Sequence, residues 1–434
     1  MDSLLAPFSQ AYRSARIARV AATVYARYKV PEVLGWLWGR TNGGTHHTGG
    51  RAGVHRRNAQ LIFDTALELR GLLIKMCQVI GTRSDVFPPE YVKILSQCHD
   101  RLPPRDFVEI RAQVEQELGG PLSQFFTEFA PHPIAAASLA QVHRARRRDG
   151  ESVAVKVQYP DIEAIVRTDI RQMTRICRVY QRVDRNPMDL LPLLEELTRH
   201  LALELDFKRE ADSADRVREL FQDDADVQVP RIHRDLSTRR VLTMEFVEGI
   251  KVTDVAGLRA AGLEPGVVMQ TLMRIYVRMI LAYGFFQADP HPGNLFVRPD
   301  GQIILLDFGL AKDLPPGFGL GMFELMFSMM TLNEAAMLRA FDALNFKTKT
   351  GEPRWLIEVA KRMVEVSGRR FEGEFTQEMT EELFTALRDN PIVKVPSDFV
   401  LVGRAFGLLS GIAHTLGSHA NVLEAMAPGS TRPQ

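Results

Sequence analysis

Polar residues recur along this chain where apolar strands give way to loops, and their order limits the folds open to it. Lys156 closes the run Val153-Ala154-Val155-Lys156. Asp289 and Asn294 stand five residues apart in the loop Gly284 to Asn294, and Asp307-Phe308-Gly309 follows the apolar run Ile303 to Leu306. A strand end that opens into a glycine-loosened loop is where a scaffold presents carboxylates and amides to a ligand. Between these strands lie long segments of helical periodicity, from Asp161 to about Glu219 and from Gly266 to Tyr283. Strands and helices in that arrangement predict an α+β fold.

The strands divide into two groups. Phe125 to Ala130, Gln141 to Arg147 and Ser152 to Gln158 read as three consecutive antiparallel strands, with Pro131 to Leu139 a tight loop and Asp149-Gly150 a hairpin turn. Arg240 to Val247 reads as a further strand, and Leu295 to Val297 with Ile303 to Leu306 as a hairpin about Asp300-Gly301. Ahead of the strands, Asn58 to Arg83 predicts one long helix, followed by proline punctuation at Asp85 to Glu90 and Asp100 to Pro104 and a helix from Asp106 to Leu118. Everything after Gly319 reads as helical. The division expected is a basic segment and linker at 1–57, a nucleotide-binding part at 58–249 and a helical part at 250–434.

Composition narrows the class. The chain has 434 residues, enough for two lobes, and its 45% hydrophobic and 25% charged content fits a globular protein rather than a disordered tail or a membrane bundle. With 54 basic and 53 acidic residues the net charge is +1, which excludes a nucleic-acid binder that relies on a general positive field. Cys77, Cys98 and Cys177 form no C-x-x-C pair, so a disulfide framework is not expected and a reducing compartment, such as the cytoplasm, fits. Ala405 to Val422 is apolar but carries three glycines and two histidines, and reads as a core helix rather than a span.

The first 60 residues hold nine Lys or Arg against two acids. Arg13, Arg16 and Arg19 recur at helical spacing beside Tyr12, Ile17, Val20 and Val24, with Trp36 and Trp38 further on. This pattern fits an amphipathic helix resting peripherally on an anionic membrane, and equally a surface helix docked by its apolar face. An Arg-rich, acid-poor start also resembles an organelle transit peptide. Thr41 to Gly50 has the composition of a flexible linker.

Asp289 and Asn294 have the separation of the base and the metal-binding amide in a kinase catalytic loop. On this reading Asp289 orients a nucleophile, while Asn294 and Asp307 offer oxygen ligands to Mg2+ on the phosphates of ATP or ADP. Lys156 has the position of the strand lysine that reaches the α and β phosphates; a lone strand lysine is otherwise a solvated edge charge. Such a lysine needs a carboxylate, and Glu210 is the candidate, with Asp206 one turn earlier on the same helical face and Glu204 turned elsewhere. Glu245 and Val247, at the end of the strand that begins at Arg240, complete the expected nucleotide contacts.

His233-Arg234-Asp235-Leu236 spells the kinase H-R-D-L motif, but Arg240 stands where the asparagine should be and a strand follows at once, so the tetrapeptide is set aside. No G-x-G-x-x-G is present. Ala135-Ala136-Ala137-Ser138 occupies its place, and alanine lacks glycine's access to positive φ, so this loop should be stiffer and hold phosphates less closely. The absence of G-x-x-x-x-G-K-[ST] excludes the P-loop class.

Together these residues resemble the UbiB/AarF family of atypical kinases. The resemblance rests on Lys75-Met76-Cys77-Gln78 (family K-x-G-Q), Asp100 to Pro104, the alanine-rich loop, Val153 to Lys156, Glu204-Leu205-Asp206 (family E-x-D), Gln287 to Asn294 and Asp307 to Gly309, in family order over about residues 60 to 312. It implies a two-lobed protein-kinase-like fold that binds nucleotide between its lobes, with an N-terminal helical K-x-G-Q extension covering the active site. It also implies ATP hydrolysis and a link to ubiquinone or other prenyl-lipid biosynthesis. Lys75 and Gln78 would then project toward Glu204 and Asp206.

The sequence departs from the family at two positions: Cys77 replaces the glycine of K-x-G-Q, and Gln287 replaces a histidine two residues before the base. The paired membrane-spanning helices of some members are not expected, and no A-P-E tripeptide follows Asp307, so peptide docking lacks its usual element. A nucleotide-dependent binding module and a small-molecule or lipid phosphotransferase stand as the other readings.

Overall fold

Val153, Val155 and Val157 alternate along one strand and are fully buried, the period-two signature of a sheet with one face against a core. A computed structural model of the chain describes residues 6–37, 48–81, 87–99, 104–184, 190–348, 356–357, 360–361, 393–394, 396–419, 421–422 and 425. Residues 100–103 of the DRLPP punctuation, residues 85–86, residues 41–47 of the linker and Trp38 lie outside the described residues. The chain forms two compact units, one of residues 1–207 and 233–243, the other of residues 208–232 and 244–434. The linear division at 249 and 250 is therefore not how the chain partitions, because Lys208–Ile232 joins the second unit before the chain returns to the first.

The first unit opens with α1 (Ala6–Leu37), α2 (Thr48–Leu69), α3 (Leu72–Gly81) and α4 (Pro89–Leu95), then α5 (Phe107–Leu118) and the single turn α6 (Leu122–Phe125). The expected long helix from Asn58 to Arg83 is two helices. Arg70 (φ 57°) and Gly71 (φ 66°) adopt left-handed backbone, which ends a right-handed helix. Arg13 of α1 secures that break: its guanidinium donates to the carbonyls of Leu69 and Arg70 and to both carboxylate oxygens of Asp169.

The sheet follows: β1 (Phe126–Phe129), β2 (Ala135–Ala136), β3 (Ala140–Arg147) and β4 (Ser152–Gln158), antiparallel as expected, with β2 paired to β3 inside what reads in sequence as a loop. Two helices complete the unit, α7 (Ile162–Val183) and α8 (Leu191–Glu204). The valines of β4 pack with Ile110 and Val114 of α5, Val166 of α7 and Leu201 of α8 in one core cluster. A second cluster joins Ala59, Phe63 and Ala66 of α2 to Ile74, Cys77 and Ile80 of α3 and Tyr91 and Leu95 of α4.

The second unit begins with α9 (Phe207–Leu220) and β5 (Val227–Gln228); β6 (Val241–Glu245) then adds its first residues to the sheet beside β4. Next come β7 (Ile250–Lys251), α10 (Val255–Ala260) and α11 (Pro265–Val277), which continues as a π-helical turn over Arg278–Tyr283. Such turns are frequent beside functional sites. Strands β8 (Phe285–Gln287), β9 (Leu295–Val297), β10 (Ile303–Leu305) and β11 (Ala311–Asp313) follow, with β9 and β10 the expected hairpin and β11 paired to β8.

The remainder is α12 (Phe318–Met330), α13 (Glu334–Ala343), a small antiparallel pair β12 (Lys347–Thr348) and β13 (Val393–Lys394), and α14 (Ser397–Leu416). That pair is a departure from the all-helical reading of this region. By length and composition α14 could cross a membrane, at a mean hydropathy of 1.5, with 39% of its most apolar window buried within the protein. Its Asp398 pairs with Lys312, and Val402, Ala405, Phe406 and Leu409 are buried. These contacts bury one face of α14 within the protein.

Candidate functional site

In the second unit the loop from Asp289 to Asn294 is wound tight by its own backbone. The Asp289 carbonyl accepts from the His291 N–H at 2.7 Å, the His291 carbonyl from Asn294 N–H at 2.8 Å, and His291 Nδ1 from Gly293 N–H at 3.1 Å. The Leu306 N–H then donates to the Asn294 carbonyl at 2.9 Å. This bond holds Asn294 and Asp307 at one end of the β9–β10 hairpin. Asp307 has φ 61° and its own carboxylate accepts from the Gly309 N–H at 3.1 Å. Left-handed backbone at a non-glycine persists only where surrounding contacts fix it, and such positions cluster at functional sites.

Those contacts are identifiable. Gln287, fully buried, donates its amide to the carbonyls of Leu306 and Asp307 and accepts from the Tyr276 hydroxyl. Burial, and then the nearby Asp289 charge, push the Tyr276 phenol well above its ordinary value, so it stays a donor. On the far side of the loop, Arg209 of α9 donates to the carbonyls of Gly309 (2.8 Å) and Ala311 (2.6 Å). Asp289 itself accepts from Arg404 of α14 at 3.4 Å, both side chains being partly exposed.

This set is all oxygen where a cation would sit: the Asn294 amide oxygen and the Asp307 carboxylate. Magnesium takes one or two protein oxygens and completes its shell with water and phosphate, so the donors present fit it. Among the described residues no group of three or more His, Cys, Asp or Glu side chains is placed to hold a metal ion.

In the first unit Lys156 projects from β4 opposite the buried valines, with its ammonium 5.1 Å from the centroid of the Phe207 ring. The alanine-rich segment is a narrow hairpin. Ala136 pairs with Gln141, the Ala137 N–H donates to the Ala140 carbonyl at 2.8 Å, and the Tyr159 hydroxyl donates to the Ala137 carbonyl at 3.1 Å, while Ser138 is buried. None of Ala135, Ala136, Ala137 and Ser138 has positive φ, as the stiffness argument requires.

Lys75 of α3 forms an ion pair with Glu204 at the end of α8, the contact that the resemblance implies. Gln78 donates to the Cys98 carbonyl at 3.1 Å. Cys77 is buried against Cys98, and a side-chain hydrogen bond between the two thiols, together with burial, pushes the Cys77 thiol up, as for a small buried residue rather than a nucleophile. No disulfide joins Cys77, Cys98 or Cys177.

Two readings are corrected. Asp206 and Glu210 do not share a helical face one turn apart, because α8 ends at Glu204 and α9 begins at Phe207, leaving Asp206 in the link. Glu204 is not turned aside; it holds Lys75. The decoy H-R-D-L is a short 3-10 turn of the first unit. Exposed Asp235 pairs with Arg147 at 3.3 Å, and buried His233 contacts the same arginine.

A family model described as the ABC1 atypical kinase-like domain matches residues 97–341. The chain belongs to this family. Relatives it matches include proteins named AarF domain-containing protein kinase and ACTIVITY OF BC1 COMPLEX KINASE. It is 33% identical over 380 residues to Protein ACTIVITY OF BC1 COMPLEX KINASE 7, chloroplastic, of Arabidopsis thaliana, covering 86% of this chain and 54% of that one. It is 32% identical over 385 residues to AarF domain-containing protein kinase 1 of Xenopus tropicalis, covering 85% and 72%. The chain thus spans about half of the plant relative's length. A solved structure, Rv3197 with erythromycin from Mycobacterium tuberculosis, matches with TM-score 0.60 at 21% identity, covering 89% of this chain and 99% of that one. The kinase-like fold is therefore that of the ABC1 family.

Within this ABC1 chain, Glu210 lies buried in the first turn of α9. Glu245 ends β6 with its carboxylate accepting from the Arg231 N–H at 3.2 Å, and Val247 is half-buried just beyond. Arg209, Tyr276 and Arg404 carry no sequence signal. Gln287 carried one, as the replacement for the family histidine.

Proposed function

We propose that this ABC1-family chain binds a magnesium nucleotide, ATP or ADP, and cleaves the γ-phosphoryl bond of ATP. The observation that carries the reading is the fixing of Asn294 and Asp307 at one hairpin end, beside the tightly wound Asp289 loop. Asn294 and Asp307 would hold magnesium, which when bound neutralises phosphate charge. Asp289 orients the attacking hydroxyl or water and takes its proton. Lys156 neutralises the α and β phosphates, and Glu210 is the carboxylate such a lysine requires. Ala135 to Ser138 contribute the phosphate-facing loop, and Glu245 and Val247 meet the nucleotide base. Lys75, Gln78, Glu204 and Asp206 form the family-specific set that restricts what acceptor can reach the phosphoryl group.

The acceptor class we infer is a prenyl lipid or quinone precursor, or water where hydrolysis itself is the output. The family relationship supports this, and so does the missing A-P-E element. Phosphate release by the purified chain, with label transfer from the γ-phosphate to extracted lipids, tests it. Release that Asp307→Asn abolishes supports the reading. Nucleotide binding without release or transfer would instead favour a binding module whose conformation does the work.

A further inference from the structure

Helix α7 carries Arg167, Arg171, Arg175, Arg178 and Arg182. At about 100° per residue these fall within roughly 80° of arc, one stripe extending about 22 Å along the helix. All five are exposed. Among the described residues none of them is paired with a carboxylate, and the nearest acids of α7 and its end are engaged elsewhere. Asp169 is held by Arg13, Glu163 by Arg239 and Arg240, and Asp184 by Lys29. Five guanidinium groups in a row without counter-charge concentrate positive potential along one helix face.

Two further observations bear on what the stripe meets. Val179, just beyond the edge of the stripe, is 57% exposed, and Val183 at the end of the helix is 60% exposed. Beside the stripe, α7 and α1 flank an open recess of about 320 Å³ lined by Ser14, Thr168, Arg171 and Arg175 among others. The basic residues of α1, by contrast, are largely consumed internally: Arg13 by Asp169, Arg16 by Glu68, Arg27 by Asn58 and Lys29 by Asp184.

We propose that the arginine stripe of α7, with the recess it shares with α1, is the surface by which this protein rests on an anionic phospholipid membrane. Charge complementarity selects a polyanionic surface, and guanidinium forks suit phosphate oxygens. The exposed valines decide between polyanions. An interfacial bilayer accepts apolar side chains bordering a basic face, whereas a nucleic-acid backbone offers them nothing. The recess, with hydroxyls and two guanidinium groups, suits one phosphate headgroup. The lipid contact expected of the N-terminal arginines thereby moves to the helix that α1 packs against.

Co-sedimentation of the full chain with phosphatidylcholine vesicles, with and without phosphatidylglycerol, tests this. Binding should require phosphatidylglycerol and weaken with salt. Arg171→Gln/Arg175→Gln/Arg178→Gln should lower partitioning on the order of a hundredfold, and Arg19→Gln should leave it unchanged. Thermal melts establish that the variants fold; should the triple variant melt early, Arg178→Gln/Arg182→Gln gives the same reading with a smaller, roughly tenfold or greater, loss. Unchanged vesicle binding by folded variants overturns the proposal. So does failure of the unsubstituted chain to bind anionic vesicles, or binding of labelled RNA in place of vesicles that the same substitutions abolish.

Discussion

The Gln287 amide donates to the Asp307 carbonyl, so the residue two before the Asp289 carboxylate fixes the backbone of the residue assigned to magnesium. In place of the family histidine, the Gln287 carboxamide offers two donors for the two carbonyls and an acceptor that the Tyr276 hydroxyl fills. Gln287→Ala should leave the phenol and two carbonyls unsatisfied in a fully buried site, destabilising the fold by about 2 to 4 kcal/mol. Gln287→His, which retains one donor, should recover part of both stability and nucleotide turnover. Urea unfolding alongside phosphate-release assays measures both, and turnover that Gln287→Ala leaves intact would remove the positioning role.

Asp307→Asn keeps the left-handed backbone within reach, since Asn tolerates it as well as Asp, but removes the charge that would meet magnesium. Magnesium-dependent nucleotide binding should be lost, while Asp235→Asn in the exposed H-R-D-L turn should bind normally. Thermal-shift titration with Mg-ATP compares them; equal losses would contradict the assignment.

Ala136 sits in β2, paired to Gln141, with the next residue tied by its N–H and carbonyl. Ala136→Gly should loosen this hairpin at about 0.5 to 1 kcal/mol of stability and let backbone N–H groups approach the phosphates. The expected result is a preference shifted from ADP toward ATP. Calorimetric titration of both nucleotides reads the ratio, and an unmoved ratio counts against the loop as the determinant.

Arg13→Ala should be the most damaging change at the N-terminus. It leaves the fully buried Asp169 carboxylate without its partner and strips the cap from the end of α2, a loss of about 3 to 5 kcal/mol. Arg19→Ala, on the exposed face, should change stability little. Chemical denaturation distinguishes them.

Burial holds the His143 imidazole below its ordinary range, an effect that the hydrogen bond to the Ala130 carbonyl opposes only in part. Nδ1–H donates to Ala130 and Nε2 accepts from Gln141, so protonation would set two donors face to face. Because the folded value lies below the unfolded one, this stability is complete above about pH 6.5 and is lost as pH falls through the folded value. Melts between about pH 7.5 and 5.5 should show the decline, and His143→Gln should flatten it. An equal slope in the variant would assign the acid sensitivity elsewhere.

What the sequence alone determined is local. Alternating valines wrote β4 and placed Lys156 on its opposite face; the Asp300-Gly301 turn between apolar runs wrote the β9–β10 hairpin and so the positions of Asn294 and Asp307. Each depends on interactions within a few residues, where periodicity and turn chemistry act directly. The tertiary structure decided the rest. It broke the helix at Arg70-Gly71 through an arginine 57 positions earlier, set Arg209 against the loop after Asp307 at a separation of 100, and brought Arg404 to Asp289 at 115. It also consumed most of the basic charges of α1 while leaving the arginine stripe of α7 open. A guanidinium can satisfy any carbonyl or carboxylate that packing carries to it, and no local pattern encodes which one arrives.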